Sequence, residues 1–236
     1  MLFRRQEPRR RFAPPRLRAR SEAKRRRNPL LRVLGDADQA LLRAMRTRGH
    51  TAVSDTVMQG LGAIGEFAGV WVAIGATGAA TDSARRNRWA AAAVVGPLAV
   101  GANYAVKLAA GRERPLIEGH PPLAKAPSKL SFPSAHATSS LAGATALGRV
   151  EPRARLPLYV LAGSVCLSRP YLGMHYPSDV LAGAALGLLI GRLAPGISSP
   201  GAEDRLIDLV NQSHSRAGNG AGASVSEPAA PGSAIT

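Results

Sequence analysis

The sequence predicts an all-α protein: a polytopic transmembrane bundle of about five spans, preceded by an amphipathic helix lying at the membrane interface. Three observations lead there. Five apolar stretches separated by short polar segments occupy residues 57–194. Aromatic residues make up only 4% of the chain while Gly and Pro number 25 and 18, a composition suited to close-packed helices rather than an aromatic-filled sandwich. The charge is segregated: residues 1–48 hold sixteen of the 31 Lys and Arg against four acids, which places +12 of the formal +16 in one fifth of the chain. The mean hydropathy of -0.03 is therefore the average of a polar leader, a polar tail and a strongly apolar middle.

Residues 1–28 are Arg blocks broken by Pro8, Pro14 and Pro15 with almost nothing to bury, which predicts a disordered leader. They lack the apolar stretch of a secretory signal, and an organellar transit peptide is a minor reading. With only Phe3 and Phe12 among the cations, the expected partner is an anionic lipid headgroup surface and not nucleic acid. Residues 29–50 set Leu30, Leu31, Leu34, Leu41, Leu42 and Met45 at helical spacing, interrupted by Gly35-Asp36-Ala37-Asp38, where Asp36 or Asp38 is expected to cap a helix running to about Arg48. This stretch is too polar to span a bilayer and amphipathic enough to lie on one.

Residues 51–196 are the expected transmembrane domain. The run 57–80 has 24 residues with Gln59 and Glu66 as its strongly polar members, and at about 1.5 Å per residue it covers a hydrocarbon core. Residues 89–110 form a second run beyond the charged loop 82–88. The runs 134–147, 157–172 and 179–194 are shorter and dotted with Gly, Ser or Thr, but in series they favour a membrane bundle over a soluble core. Gly183, Gly187 and Gly191 recur every fourth residue, the pattern of close helix packing inside the bundle. Residues 197–236 turn to Ser, Gly, Ala and Pro and read as a flexible tail, apart from a short helical segment over 202–210.

The single Cys166 excludes an intrachain disulfide and a Cys-based zinc site. Gly60-x-Gly62-x-x-Gly65 matches a dinucleotide fingerprint, but it lies inside an apolar helix with no strand before it and is read as a decoy. The chemistry lies between Lys107 and Asp179. Lys107 and Arg114, seven apart, would share a helix face and bring two cations to a membrane surface. Pro133-Ser134-Ala135-His136 opens the third run, where a helix N-terminus suits an anion. Ser168-Arg169 is followed by His175 and Asp179, four apart and positioned for the carboxylate to orient the imidazole. Three cations around one point repel unless a polyanion sits between them, and guanidinium forks fit a phosphate. Two histidines of which one has a carboxylate partner suit a nucleophile and a general acid. A metal is disfavoured, because Asp179 is the only carboxylate beside the histidines and the cations repel a divalent ion. Glu66, an acid halfway along an apolar span, is read as a structural partner within the bundle.

Lys107-x6-Arg114-Pro115, Pro133-Ser134-x-His136 and Ser168-Arg169-x5-His175-x3-Asp179 together resemble the three-part signature of the type 2 phosphatidic acid phosphatase superfamily, related to the vanadium haloperoxidases. The resemblance covers roughly residues 55–194. The family usually has Gly where Ala135 stands, which restricts the backbone at that oxyanion contact. The resemblance implies that His175 attacks phosphorus to form a phosphohistidine and that Asp179 orients it. It implies that His136 protonates the leaving alkoxide and then activates water. Lys107, Arg114, Arg169, Ser134 and the Ala135 backbone would bind the phosphoryl oxygens, with no metal and no cofactor.

A site at the membrane interface suits an amphiphile whose phosphate stays at headgroup level, so the expected substrate is a lipid phosphate. The basic leader and Asp38-Gln39-Ala40-Leu41-Leu42 resemble actinobacterial members, which favours a polyprenyl-linked phosphate such as decaprenylphosphoryl-5-phosphoribose. Phosphatidate, phosphatidylglycerophosphate or a prenyl diphosphate are the alternatives, as is a phosphotransferase using the same intermediate. A non-enzymatic scaffold would not require these residue types at these spacings. Retention of the leader in the cytoplasm, with five spans, puts the site on the cytoplasmic face, although the same rule disfavours exporting Arg85, Arg86, Arg88, Arg149, Arg153 and Arg155.

Overall fold

The computed structural model describes residues 29–197; the leader before residue 29 and the tail beyond 197 lie outside it. Seven helices run in order: α1 (Pro29–Thr47), α2 (Ala52–Ile64), α3 (Gly69–Thr81), α4 (Arg86–Ala110), α5 (Ala135–Val150), α6 (Arg155–Tyr171) and α7 (Pro177–Leu193). Among the described residues there are no strands, only two isolated antiparallel bridges, Glu113 with Leu130 and Ile117 with His120, in the long loop between α4 and α5.

Two expectations about the first third of the chain are corrected. Helix α1 continues through Gly35-Asp36-Ala37-Asp38 without interruption, and Asp38 caps no turn of its own helix. Its carboxylate instead receives the Ser178 backbone N–H at 2.9 Å, at the start of α7, so a tertiary partner replaces the local capping role. Along α1, Leu42 is buried in the protein while Val33, Leu34 and Leu41 stay exposed, leaving an apolar stripe on the outer side. The run 57–80, read as one span, is broken. Helix α2 starts with a capping box between Thr51 and Ser54 and stops at Ile64. A 3-10 turn over Glu66–Ala68 then redirects the chain by 54° into α3. Phe67 and Ala68 lie at φ 50° and 64°, the left-handed region that costs non-glycine residues about 1 kcal/mol or more each. Burial of Ala68 against α4 holds this bend, since a Cβ on Gly96 would come within 2.9 Å of the Ala68 methyl.

Helix α4, at 25 residues, extends with the preceding turn to the only described segment that is long and apolar enough to cross a bilayer unaided; α2 and α3 pass that test only as a pair. Gly111, at φ 61°, ends it. Helices α5, α6 and α7 are 16 or 17 residues each, below the about 20 expected of an upright span.

Helix α5 is the central post. Its small residues, Ala137, Thr138, Ser139, Ser140, Ala142, Gly143 and Ala144, are all buried, so α3, α4, α6 and α7 close in on it from every side. Trp71 of α3 lies across Gly143, where a Cβ would sit 2.6 Å from the indole, and its Nε1 donates to Ser140 Oγ at 3.2 Å. Gly183, Gly187 and Gly191 meet α5 along its length, as the sequence pattern predicts: a Cβ on Gly183 would sit 2.5 Å from the Ser134 carbonyl oxygen, and one on Gly187 would overlap the Thr138 carbonyl. The outward side chains, including Leu98 and Leu108 of α4, Leu156 and Leu167 of α6 and Leu181 and Leu193 of α7, form an apolar outer surface of the kind lipid covers. At the end away from α1, Arg85 binds Asp82 and Glu151, and Arg149 donates to the last carbonyls of α7.

Gly187→Val is expected to destabilise the bundle by about 1–3 kcal/mol through overpacking against α5, whereas Gly101→Ala, at a position open on all sides, leaves the protein as stable as before. Thermal midpoints of the two detergent-solubilised variants check this contrast.

Candidate active site

The end of the bundle where α4 and α6 finish and α5 and α7 begin collects every residue singled out by the sequence. Lys107 is buried in the last turn of α4, and its ammonium donates to the carbonyls of Leu130 and Ser131 at 3.3 and 3.2 Å. Arg114 does not share its helix face, as seven-residue spacing suggested, because the helix has ended at Gly111. The loop carries the guanidinium back instead, where Nε donates to the Ser128 carbonyl and NH1 to the Met174 carbonyl. Ser134 is the N-cap of α5 and Ala135 its first residue; the Ser134 hydroxyl accepts from Ala137 N–H at 3.5 Å. Ser134 N–H also donates to the Asp179 carbonyl at 2.9 Å, tying the starts of α5 and α7 together.

His175 is 2% exposed in the turn between α6 and α7. Arg114 NH1 lies 3.0 Å from its Nε2. A guanidinium only donates, so Nε2 is the unprotonated nitrogen and the neutral ring carries its proton on Nδ1. That nitrogen faces Asp179 Oδ2 at 3.7 Å, an approach rather than the hydrogen bond expected from the four-residue spacing. Burial, together with the charges of Arg114, Arg169 and Lys107, holds the His175 pKa well below the ordinary histidine value, so the ring is neutral at pH 7.

His136, in the first turn of α5, lies within electrostatic reach of Arg169, His175 and Arg114. Its Nε2 is 3.1 Å from the Gly62 carbonyl oxygen, which fixes the proton on Nε2 and leaves Nδ1 as the ring's exchanging nitrogen. Arg169 is 4% exposed, and its buried Nε has no hydrogen-bond partner among the described residues. The nucleotide-like glycine motif acquires its meaning here. A Cβ on Gly62 would sit 2.7 Å from Arg169 NH1, and one on Gly65 would sit 2.7 Å from Val165 and 3.3 Å from the His136 ring. These glycines let α2 press against the site. Glu66, exposed at the α2–α3 break, is near enough to act electrostatically on Arg169.

Two residues that sequence reasoning did not place in the site belong beside it. Arg112, in the loop after α4, donates from NH1 to Asp179 Oδ1 and to Ser178 Oγ, both at 2.7 Å, and from NH2 to Asp38 Oδ2 at 2.8 Å. Its signal was the Gly111-Arg112-Glu113-Arg114 run, in which an extended loop sends alternate residues to one side. Tyr171 anchors the turn from behind, donating to Asp55 Oδ1 at 2.7 Å and stacking on His50 at 4.2 Å between ring centres. The cavity lined by Ser83–Arg88 lies at the opposite end of the bundle and holds none of these groups. What the arrangement offers chemically is a neutral imidazole lone pair surrounded by fixed cations: a receptor for an anion with a nucleophile inside it.

The family model described as the PAP2 superfamily matches residues 88–199. The chain is 39% identical over 143 residues to a decaprenylphosphoryl-5-phosphoribose phosphatase of Mycobacterium tuberculosis, covering 59% of this chain and 77% of the relative. It is 40% identical over 131 residues to the protein of that name in Mycolicibacterium smegmatis, covering 54% and 70%. Among solved structures, a transmembrane PAP2 type phosphatidylglycerolphosphate phosphatase of Bacillus subtilis superposes with a TM-score of 0.57 at 27% identity, covering 70% of this chain and 85% of that one.

The neutral, buried state of His175 gives a pH signature in stability. Its folded pKa lies below the 6.5 of the unfolded chain, so below pH 6.5 the unfolded state binds a proton that the native state refuses. Stability therefore falls as pH drops, by up to about 1.4 kcal/mol per pH unit from this group. Melting of the detergent-solubilised protein between pH 7.5 and 5 is expected to show a slope of this sign, and His175→Gln to reduce it by the share of this one group.

Proposed function

The chain belongs to the PAP2 superfamily and is a phosphatase, a hydrolase acting on phosphoric esters; from that premise we propose that it is a multi-pass membrane enzyme that removes the terminal phosphomonoester of a polyprenyl-linked phosphate through a phosphohistidine on His175. The observation that carries this reading is the Arg114–His175 contact: an arginine donates to the lone pair of a neutral, buried imidazole. That cation covers the lone pair that must reach phosphorus, so an arriving phosphate draws the guanidinium from the ring nitrogen onto a phosphoryl oxygen and uncovers the nucleophile.

The steps follow from that geometry. His175 Nε2 forms the N–P bond as the ester P–O bond breaks, and its Nδ1–H keeps the new positive charge facing Asp179. Lys107, Arg114, Arg169, the Ser134 hydroxyl and the start of α5 at Ala135 stabilise the charge on the phosphoryl oxygens. His136, protonated at Nδ1 as well once the anionic phosphate is bound beside it, gives that Nδ1 proton to the leaving alkoxide and returns to the neutral Nε2–H ring. It then takes one from water as the water oxygen attacks phosphorus, the N–P bond breaks and inorganic phosphate leaves. The Gly62 carbonyl, holding the opposite nitrogen, aims that edge of the ring. The residues require no metal for any of these steps.

The mycobacterial relatives support decaprenylphosphoryl-5-phosphoribose as the substrate class. The likeness to the Bacillus subtilis enzyme favours phosphatidylglycerophosphate as a second reading. If α2 and α3 together make one span, α4 to α7 make four more, and α1 lies at the interface on the same side as the site. Cytoplasmic retention of the Arg-rich leader then places the site on the cytoplasmic face.

Phosphate release from phosphoribosyl prenyl phosphates is expected to exceed that from prenyl diphosphates, phosphatidylglycerophosphate and phosphatidate. His175→Ala is expected to abolish release on every substrate, by at least about 1,000-fold, with inhibition of the wild type by orthovanadate and not by EDTA. Full activity in His175→Ala would contradict the mechanism. For sidedness, an impermeant thiol reagent on intact cells is expected to label Ser83→Cys and spare Ser128→Cys; the reverse pattern places the site outside.

A further inference from the structure

We propose that Asp38 and Arg112 are positioning residues for the phosphatase reaction, holding Asp179 where it serves His175 and making the interfacial helix α1 part of the catalytic unit. The inference rests on the reading of His175 as the nucleophile. Asp179 is fully buried, and each of its oxygens is spoken for: Oδ2 accepts the Tyr176 N–H at 3.0 Å, and Oδ1 accepts Arg112 NH1 at 2.7 Å. The carboxylate thus stands beside His175 Nδ1 because a backbone amide and a guanidinium hold it there. Arg112 is in turn held on three sides. Its guanidinium lies 4.0 Å from the centre of the Tyr176 ring, it donates to Ser178 Oγ, and its second amino group reaches Asp38 Oδ2 at 2.8 Å.

Asp38 comes from a helix distant in sequence and makes two further contacts. Its Oδ1 accepts the Ser178 backbone N–H at 2.9 Å and its Oδ2 accepts the Ser178 hydroxyl at 2.5 Å. It therefore caps α7 from outside, satisfying an amide that the first turn leaves unpaired and placing negative charge at the positive end of the helix dipole. Burial opposes ionisation of Asp38, but the hydrogen bonds from Ser178 and Arg112 outweigh it and keep its pKa below the ordinary aspartate value. One guanidinium is thus shared between two carboxylates. Without Asp38 its charge falls wholly on Asp179, drawing that carboxylate toward Arg112 and away from the imidazole. Leu42, buried one turn on, and Arg46, donating to the Pro121 carbonyl at 2.6 Å, dock the rest of α1 onto the same end of the protein.

The test uses the full chain in detergent with the most active lipid of the substrate screen. Asp38→Asn keeps an acceptor for the Ser178 amide, so the cap survives while the charge is lost. It is expected to lower kcat about tenfold, and Arg112→Gln about 100-fold, with KM and orthovanadate inhibition within about threefold of wild type. The double variant should be no slower than Arg112→Gln alone, because Asp38 acts through Arg112. Asp38→Glu, which retains the charge, should recover most of the loss. A kcat for Asp38→Asn within twofold of wild type, or single losses that multiply in the double variant, would overturn the inference while His175→Ala stays inactive. Activity in His175→Ala would instead remove the nucleophile reading, and this inference with it.

Discussion

Like charges packed into a half-dry site repel one another, and much of this protein is arranged around holding four of them together. Lys107, Arg112, Arg114 and Arg169 converge on one end of the bundle. Two of them, Lys107 and Arg114, are moored mainly to backbone carbonyls rather than to acids. A carbonyl supplies enough negative potential to localise a cation without cancelling its charge, so the site stays positive and keeps its capacity for an anion. The carboxylates bound to these cations are Asp179 and Asp38, both at Arg112, while Glu66 acts on Arg169 only through its field. The net result is a fixed positive field aimed at a neutral imidazole.

Such convergence is possible only if the helices that carry these groups can come close. The small residues of α5 and the three glycines of α7 bring backbone against backbone, so the N-termini of both helices open onto one small volume. The same device recurs where α2 meets the site: Gly62 and Gly65 leave room for Arg169, Val165 and His136, and the Gly62 carbonyl becomes a hydrogen-bond acceptor for the histidine ring. Packing and chemistry are therefore one problem in this fold. A methyl group added at Gly62 would press on Arg169, a residue more than 100 positions later in the chain.

Much of this was legible in the sequence. Apolar runs separated by charged turns predicted the helices, the four-residue glycine spacing predicted the α5–α7 contact, and Pro133-Ser134-Ala135-His136 predicted a capped helix start. Three features were not legible, for distinct physical reasons. The break after Gly65 depends on two non-glycine residues in left-handed conformations, which no local preference foretells; burial of Ala68 against α4 selects them. The Asp38 carboxylate had a plausible cap position in its own helix, and only the approach of α7 gave it a better one. Arg112 looked like any loop cation because both of its carboxylate partners are remote in sequence, 74 and 67 positions away.

If α2 and α3 together make one span of five, its division bears on how the protein is made. Its halves, α2 and α3, are 13 residues each, about two thirds of what a helix needs to enter a bilayer by itself. As the chain leaves the ribosome in the five-span arrangement, α4 is the first described helix with enough length and hydrophobicity to commit to the lipid phase by itself. The preceding pair is then drawn in beside it, as the other arm of a hairpin closed by the turn at Asp82. In that arrangement the insertion of α2 and α3 waits on residues synthesised after them, and a block to α4 would strand the pair at the surface.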